Sequence, residues 1–263
     1  SIKVSPLSAR MFRGFMNRDQ LFEKAVFTSA TVGNVGTLMG GLGFSSESYD
    51  FISVPSRFPA SSMPIYVPPD SPKINYNTSE QDYQKQANII FDIIDRCPPE
   101  WSGVIHTASI QHAKNLAQRL AKKGLGNRIF VTPKGSSAAK IQAWMLYKST
   151  KQNCIVISWD MWTGVDGYDE QINIIAKVPY GTLDELGSAR MERDKMFYIW
   201  EAASRVEQAA GRNRRGDEDH YELPGQPTRR ICAIVDANIH RVYNQLSSLA
   251  RARIIKGDVQ IIR

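Results

Sequence analysis

Residues 103–124 read GVIHTASIQHAKNLAQRLAKKG and decide the fold. The first four residues form a short apolar run, which predicts a buried strand over Gly103 to His106. Apolar residues then recur at helical spacing, at Ile110, Ala113, Leu116, Ala117 and Leu120. This pattern predicts an amphipathic helix from Ser109 to Lys122, which Gly124 ends. A strand that leads directly into such a helix is the repeating unit of α/β folds.

The same alternation continues along the chain. Helices are predicted over residues 80–95, 138–148, 183–211 and 238–253, and strands over 128–131, 154–158, 172–178 and 230–235. Strands alternating with helices favour an α/β fold with a mostly parallel sheet flanked by helices. Ligands of such sheets bind beyond the carboxyl ends of the strands, so the loops that follow the strands are the places to search.

The N-terminal part has a different composition. A helix is predicted over residues 8–21, and strands over 24–28 and 49–54, with a glycine-rich mobile connector at 33–43 between them. Proline and serine are frequent from residue 55 to residue 72, which indicates an extended connector. We therefore predict three parts: residues 1–54, a connector over 55–75, and a second domain over 76–263.

Composition excludes several classes of protein. The chain of 263 residues has no apolar run long enough to span a membrane, and its three scattered cysteines argue against a disulfide framework and for an intracellular location. Its four histidines form no ligand-spaced cluster with the cysteines, so no metal site is expected. The net charge of +7 suits a nucleic-acid partner, although many basic domains bind none.

Residues 208–215 read QAAGRNRR and follow a predicted helix. Arg212 and Arg215 are three residues apart and share a helical face, while Gly211 allows close backbone approach. A guanidinium projected from a neighbouring domain can neutralise the charge that develops during phosphoryl transfer. The alternative is a solvated basic helix end, which the helix dipole favours.

Residues 154–167 read CIVISWDMWTGVDG, a predicted strand and the turn after it. Gly164 would let a phosphate approach the backbone. The Asp166 carboxylate could orient a water molecule or hold an arginine, or it could simply cap its own loop. Trp162 could stack on a base, and a buried tryptophan is the alternative.

The junction at residues 106–109 joins a strand end to a helix start. Thr107 or Ser109 can cap the helix and leave free N–H groups as an anion site, and ordinary helix capping is the alternative.

In this order, the segments resemble the motifs of superfamily-two helicases of the DinG/XPD-like group. Residues 26–32, VFTSATV, resemble motif III, and residues 104–109 resemble motif IV. The turn at 159–167 resembles motif V, and residues 208–215 resemble motif VI. Residues 54–59, VPSRFP, resemble the connector after motif III. Thr163 stands where the DinG-like pattern has an acidic residue, which weakens the assignment to that group.

The resemblance covers nearly the whole chain and implies a RecA-like second helicase domain, preceded by the end of a first motor domain over residues 1–54. It implies catalytic roles for Gln208, Arg212 and Arg215. It implies ATP-binding or coupling roles for Ser29, Ala30, Thr31, Gly164, Asp166 and Gly211. It implies nucleic-acid contacts by Thr107, Ser109, Lys134 and Trp162.

The resemblance also implies that ATP and Mg²⁺ are held mainly by the first motor domain, and that the partner is single-stranded or forked nucleic acid, with DNA favoured. Two segments imitate nucleotide motifs. GSSAAK at 135–140 lacks the Gly-Lys-Ser/Thr ending of a phosphate loop. DEDH at 217–220 follows no apolar strand, which indicates an exposed acidic loop. Since the chain has no Walker A lysine or Walker B carboxylate, we expect it to be inactive alone.

Two other functions fit the same residues. A helicase-like module without ATPase activity would dock nucleic acid or protein regardless of nucleotide. A different α/β nucleotide enzyme would use its arginines to bind an anionic small substrate.

Overall fold

The computed structural model describes residues 26–29, 31–56, 60, 64–160, 170–211 and 230–259. Seven strands in these ranges form one sheet: β1 Ile65–Val67, β2 Gly103–His106, β3 Ile129–Val131, β4 Ile155–Ser158, β5 Ile172–Ile175, β6 Ile231–Ile234 and β7 Ile254–Lys256. The strand order is β3-β4-β2-β5-β6-β1-β7. Every adjacent pair is parallel. The predicted α/β fold with a RecA-like parallel sheet is confirmed.

Eight α-helices flank the sheet in the described ranges: α1 Val35–Leu42, α2 Glu80–Arg96, α3 Ile110–Leu120, α4 Ser137–Thr150, α5 Glu185–Arg193, α6 Lys195–Ala210, α7 Ile239–Val242 and α8 Ser248–Arg253. Serine side chains cap α2, α3, α4 and α8 by accepting a backbone N–H of the first turn. The longest of these helices, α2, has 17 residues, and none has the length and hydropathy of a membrane span.

The core is divided between the two faces of the sheet. Alternate strand residues point to opposite faces, so Ile105 packs with α2 and α3 on one face while Val104 packs with Trp144 of α4 on the other. Near β1 and β6, the second face is covered by α6, α7 and α8. Because both faces are covered, the inner strands are mostly apolar, and their polar residues His106, Ser158 and Asn173 are buried.

The glycine-rich segment is a helix, which corrects the prediction of a mobile connector at 33–43. The Asn34 side chain caps α1 by accepting the N–H of Thr37 at 3.0 Å. Gly43 ends the helix in the left-handed region, with a φ of 92°. A Cβ on Gly41 would lie 2.1 Å from Cδ2 of Phe197. The glycines therefore serve to end the helix and to let it approach α6 closely.

Two predicted strands are absent from the described residues. Residues 26–28 and 49–54 are assigned to no helix or strand, and Ile52 is 86% exposed. Apolar composition predicted both strands, yet a strand needs a hydrogen-bonded neighbour. The helix predicted over 8–21 lies outside the described residues.

Two further differences concern the ends of the second domain. The connector predicted over 55–75 contributes β1, a buried strand whose proline-rich flanks hid it. The long helix predicted over 238–253 is broken at Leu246 and Ser247, both in extended conformation, and β7 follows it. Ser247 then caps α8 by accepting the N–H of Ala250 at 3.2 Å.

The two neighbouring glycines of α1 offer a matched test of its packing. Gly41→Ala should lower the free energy of unfolding by about 1–3 kcal/mol, because the added methyl overpacks the contact with the Phe197 ring. Gly40 has nothing within 4 Å of an added Cβ. Gly40→Ala should therefore raise stability by up to about 1 kcal/mol, through helix propensity alone. Urea unfolding of both variants measures the difference, and equal effects would contradict the packing of α1 on α6.

Candidate functional site

The carboxyl ends of β4, β2, β5 and β6 lie side by side at one edge of the sheet, because all pairs are parallel and in register. We refer to this edge as the carboxyl edge. The residues that leave it include Thr107, Asp160, Lys177 and Asp236. The motif IV and motif V segments, which follow β2 and β4, therefore begin at neighbouring positions.

A buried glutamine joins two strands at the carboxyl edge. Gln86 of α2 donates its side-chain N–H groups to the carbonyl oxygens of Ala176 and Val235, the latter at 2.7 Å. Its Oε1 lies 2.7 Å from Nε2 of His112. Both amide hydrogens of Gln86 are donated to the two carbonyls, so Gln86 Oε1 is the acceptor in the contact with His112. His112 therefore carries its proton on Nε2. Burial, and secondarily Lys177, lowers the pKa of His112 to about 3, so the ring is neutral.

A buried carboxylate fixes the turns beside it. Asp236 accepts backbone N–H groups of Val178 at 2.8 Å, Asn238 at 2.9 Å and Ile74 at 3.2 Å. Burial raises the pKa of Asp236, against the lowering effect of these donors. Asp236 is thus occupied in holding three chain segments together.

The predicted nucleic-acid contacts at this edge have different exposures. Thr107 is buried, and its hydroxyl lies 3.3 Å from the carbonyl oxygens of Ser109 and Ser158. It holds the strand end and offers no surface to a ligand. Ser109 caps α3 by accepting the N–H of His112 at 3.2 Å. Lys134, in the turn after β3, is exposed.

The helix that precedes the motif VI arginines is anchored at its carboxyl end. Asn173 of β5 donates from Nδ2 to the carbonyl oxygen of Ala209 at 2.8 Å, and both residues are buried. Glu207 accepts the backbone N–H of Ser247. Gly211 closes the helix by donating its N–H to the Glu207 carbonyl at 3.0 Å. The position of the carboxyl end of α6 is therefore fixed by β5 and by Ser247, the residue that caps α8.

The structure brings motif III and motif VI residues together. Gln208 Nε2 donates to Thr31 Oγ1 at 3.4 Å across 177 residues of sequence. The Ser29 hydroxyl in turn accepts the N–H of Thr31 at 3.2 Å. Ser29, Thr31 and Gln208 thus form one chain of hydrogen bonds. The other predicted site residues lie outside the described residues: Ala30, Trp162, Gly164, Asp166, Arg212 and Arg215.

Two groups of residues near these segments were not identified from the sequence. Trp200 Nε1 donates to the carbonyl oxygen of Val32 at 2.8 Å. Lys140 is buried, forms an ion pair with Asp160, and places Nζ 4.3 Å from the centre of the Trp159 ring. The sequence signal for Lys140 was its place in the segment that imitates a phosphate loop. Trp200 carries no signal beyond an aromatic-rich helix start.

Across the described ranges, no three His, Cys, Asp or Glu side chains come close enough together to hold a metal ion. The three cysteines are buried thiols that form no disulfide.

Comparison with known proteins identifies the domain. The sequence model of the family described as Helicase C-terminal domain matches residues 97–221. The matched segment, 125 of the 263 residues, is similar to helicase C-terminal domains. The matched segment of this helicase domain begins just before β2 and contains the motif IV, V and VI segments, so the resemblance predicted from the sequence is confirmed. No curated protein sequence matches the chain significantly.

Solved structures share the fold of this helicase domain. Xpd4 of S. tokodaii superposes with a TM-score of 0.58 and 12% identity over 92% of this chain and 46% of its own. A structure described as an XPD helicase gives a TM-score of 0.50 and 13% identity over 74% of this chain and 35% of its own. At these identities the likeness concerns the fold. The chain spans less than half the length of either protein.

The buried His112 predicts a loss of stability in acid. Its folded pKa of about 3 lies below the ordinary value of 6.5, so the unfolded chain takes up the proton first as pH falls. As the pH falls below 6.5, His112 should lower the free energy of unfolding by up to about 1.4 kcal/mol per pH unit. Urea unfolding of His112→Gln from pH 7.5 to pH 4 should show a slope shallower by about one proton. The exposed His240→Gln serves as control, and equal slopes for wild type and His112→Gln would refute the assignment.

Proposed function

We propose that this chain is the second motor half of an ATP-dependent DNA helicase or translocase. In this proposal a first motor domain holds ATP, and this chain supplies Arg212 and Arg215 as arginine fingers, side chains that reach the ATP phosphates from the second domain. The chain also contacts single-stranded DNA. The observation that carries the proposal is the contact of Gln208 with Thr31 at 3.4 Å, four residues before Arg212 in the sequence. This contact joins a motif III hydroxyl to the helix that leads into the fingers.

The anchoring of α6 supports the assignment of the fingers. A finger accelerates phosphoryl transfer only when the guanidinium reaches the charge that develops on the phosphate oxygens, which requires a fixed origin. The hydrogen bond from Asn173 to Ala209 and the closure at Gly211 supply that origin. Arg212 and Arg215 follow this helix end directly in the sequence. A finger contributes a rate factor on the order of 10³–10⁵.

ATP is the substrate in this proposal, and Mg²⁺ is held by the first domain with the phosphates. Gln208 would meet the nucleotide from the second domain. Ser29, Ala30 and Thr31 would couple ATP binding and hydrolysis to DNA binding from the side of the first domain. Gly164 and Asp166 would do the same from the side of the second domain. We place the protein inside the cell, in the cytoplasm or nucleoid, with DNA repair or replication as its setting.

The carboxyl edge supports the proposed path of the DNA strand. The α3 N-terminus carries N–H groups beyond the one that Ser109 accepts, and these favour a phosphate. The exposed Lys134 stands at the same edge, after β3. Trp162 would stack on a base. Thr107 enters this proposal only as the residue that holds the strand end, since its side chain is buried.

Arginine removal tests the proposal in the full-length parent protein. Arg212→Ala and Arg215→Ala should each lower kcat of DNA-stimulated ATP hydrolysis by about 100-fold or more, with ATP binding retained. Arg214→Ala is the matched control, because the resemblance to motif VI gives roles to Arg212 and Arg215 and none to Arg214. A parent without DNA-stimulated hydrolysis, or finger variants equal to it, would favour the module that docks nucleic acid without ATPase activity.

The salt dependence of DNA binding tests the proposed strand path. Lys134→Ala should reduce the slope of log K against log salt concentration by about one, because one phosphate contact is lost. Lys256→Ala is the control, since Lys256 is exposed on β7 at the opposite end of the strand order. Equal slopes for the two variants would remove Lys134 from the path.

A further inference from the structure

Residues 32–34 lie against the start of α6 and the turn after α7. The Val32 carbonyl accepts from Trp200 Nε1 at 2.8 Å, and the Asn34 N–H donates to the Gln245 carbonyl at 2.9 Å. These bonds join positions 168 and 211 residues apart in the sequence. We call the surface formed by Phe197, Trp200 and the Gln245 backbone the docking notch.

The notch has room only for a glycine at position 33. Gly33 has a φ of 64°, in the left-handed region that side chains disfavour. A Cβ there would lie 2.8 Å from the Gln245 carbonyl oxygen and 3.0 Å from Trp200 Nε1. Both the conformation and the space therefore require glycine, which means that the backbone itself fits the notch.

The aromatic side chains of α6 extend the contact to α1. The Phe197 and Trp200 rings stack with centroids 5.2 Å apart, and Phe197 occupies the space left open by Gly41. The indole is thus held on one side by Phe197 while its N–H faces the Val32 carbonyl. Such a fixed donor costs little entropy when it forms its hydrogen bond.

Thr31 directly precedes this docked segment. Its hydrogen bond with Gln208 is long, at 3.4 Å, and a bond of that length is weak by itself. The stronger bond at Val32, one residue further along, restricts where the Thr31 hydroxyl can lie. Loss of the Val32 bond should therefore loosen the contact between Thr31 and Gln208.

We propose that the docking notch binds the end of the first motor domain through residues 32–34. Trp200 is then a positioning residue that holds Thr31 against Gln208. The partner that fits the notch is the Val-Gly-Asn backbone of this same chain, with Gly33 in the left-handed region. This inference rests on the proposed function, because that function assigns residues 1–54 to the first motor domain.

The test uses the full-length parent with Trp200→Phe, which keeps an aromatic ring on Phe197 and removes the N–H donor. Amide hydrogens of residues 31–42 should exchange about ten-fold faster, while those of β2 and β4 keep their wild-type rates. DNA-stimulated kcat should fall by about 5- to 10-fold, as expected for one lost hydrogen bond, with KM for ATP changed less than two-fold. A merely destabilising substitution would not produce this separation of kcat from KM.

Two further variants complete the test. Gly33→Ala acts from the segment side and should reproduce both changes. Trp101→Phe replaces a partly buried tryptophan packed on the core beside β2 and should leave residues 31–42 and kcat at their wild-type values.

The outcomes separate the two proposals. Unchanged exchange of residues 31–42 in both Trp200→Phe and Gly33→Ala would overturn the docking notch. Faster amide exchange of residues 31–42 with unchanged DNA-stimulated hydrolysis would show that Trp200 binds the segment. It would contradict the proposal that Trp200 positions Thr31 for catalysis. A parent without stimulated hydrolysis would end the proposed function and the positioning role with it, while the exchange rates would still decide whether the notch exists.

Discussion

The side-chain amide of Gln86 is the interaction on which the rest of the site depends. The last carbonyls of parallel strands lose their ladder partners where the chain turns away, and a buried carbonyl must find another donor. Gln86 supplies donors to both Ala176 and Val235 and so holds the chain leaving β5 beside the chain leaving β6. From β5, Asn173 then fixes the end of α6. The orientation of the motif VI helix is thus traceable to a few buried amides.

Most of the central sheet could be predicted from the sequence, because buried parallel strands are continuous apolar runs and their helices show a regular period. The four-residue strands β2, β4, β5 and β6 were all predicted. Of the three-residue strands, β3 was predicted, whereas β1 and β7 were missed, because β1 lies between proline-rich flanks and β7 follows a helix directly. The glycine content of residues 33–43 led to the wrong prediction of a mobile connector. One of these glycines is needed because α1 packs closely on Phe197, and no local sequence pattern reveals such a tertiary contact.

The site could be predicted in part for a similar reason. The resemblance gave Ser29, Thr31 and Gln208 roles at the nucleotide site, which stay predictions, and the structure adds the contact of Gln208 with Thr31. Chemistry alone could not show that the Thr107 hydroxyl is used up by backbone carbonyls, because hydroxyl-bearing residues look alike in sequence whether they cap or bind. Trp200 and Lys140 were not identified from the sequence, because their contacts are with residues that are distant in the sequence and come close only in the folded chain.

The position of β1 has a consequence for how the domain is made. This strand contains residues 65–67, yet its two neighbours are residues 231–234 and 254–256. During synthesis, β1 therefore leaves the ribosome long before either neighbour exists, and it must wait for nearly 190 more residues before its hydrogen bonds can form. Pairing over such a separation is slow, since a large loop must close first. The inner strands β2, β4 and β5 can assemble earlier, and one end of the sheet is completed last.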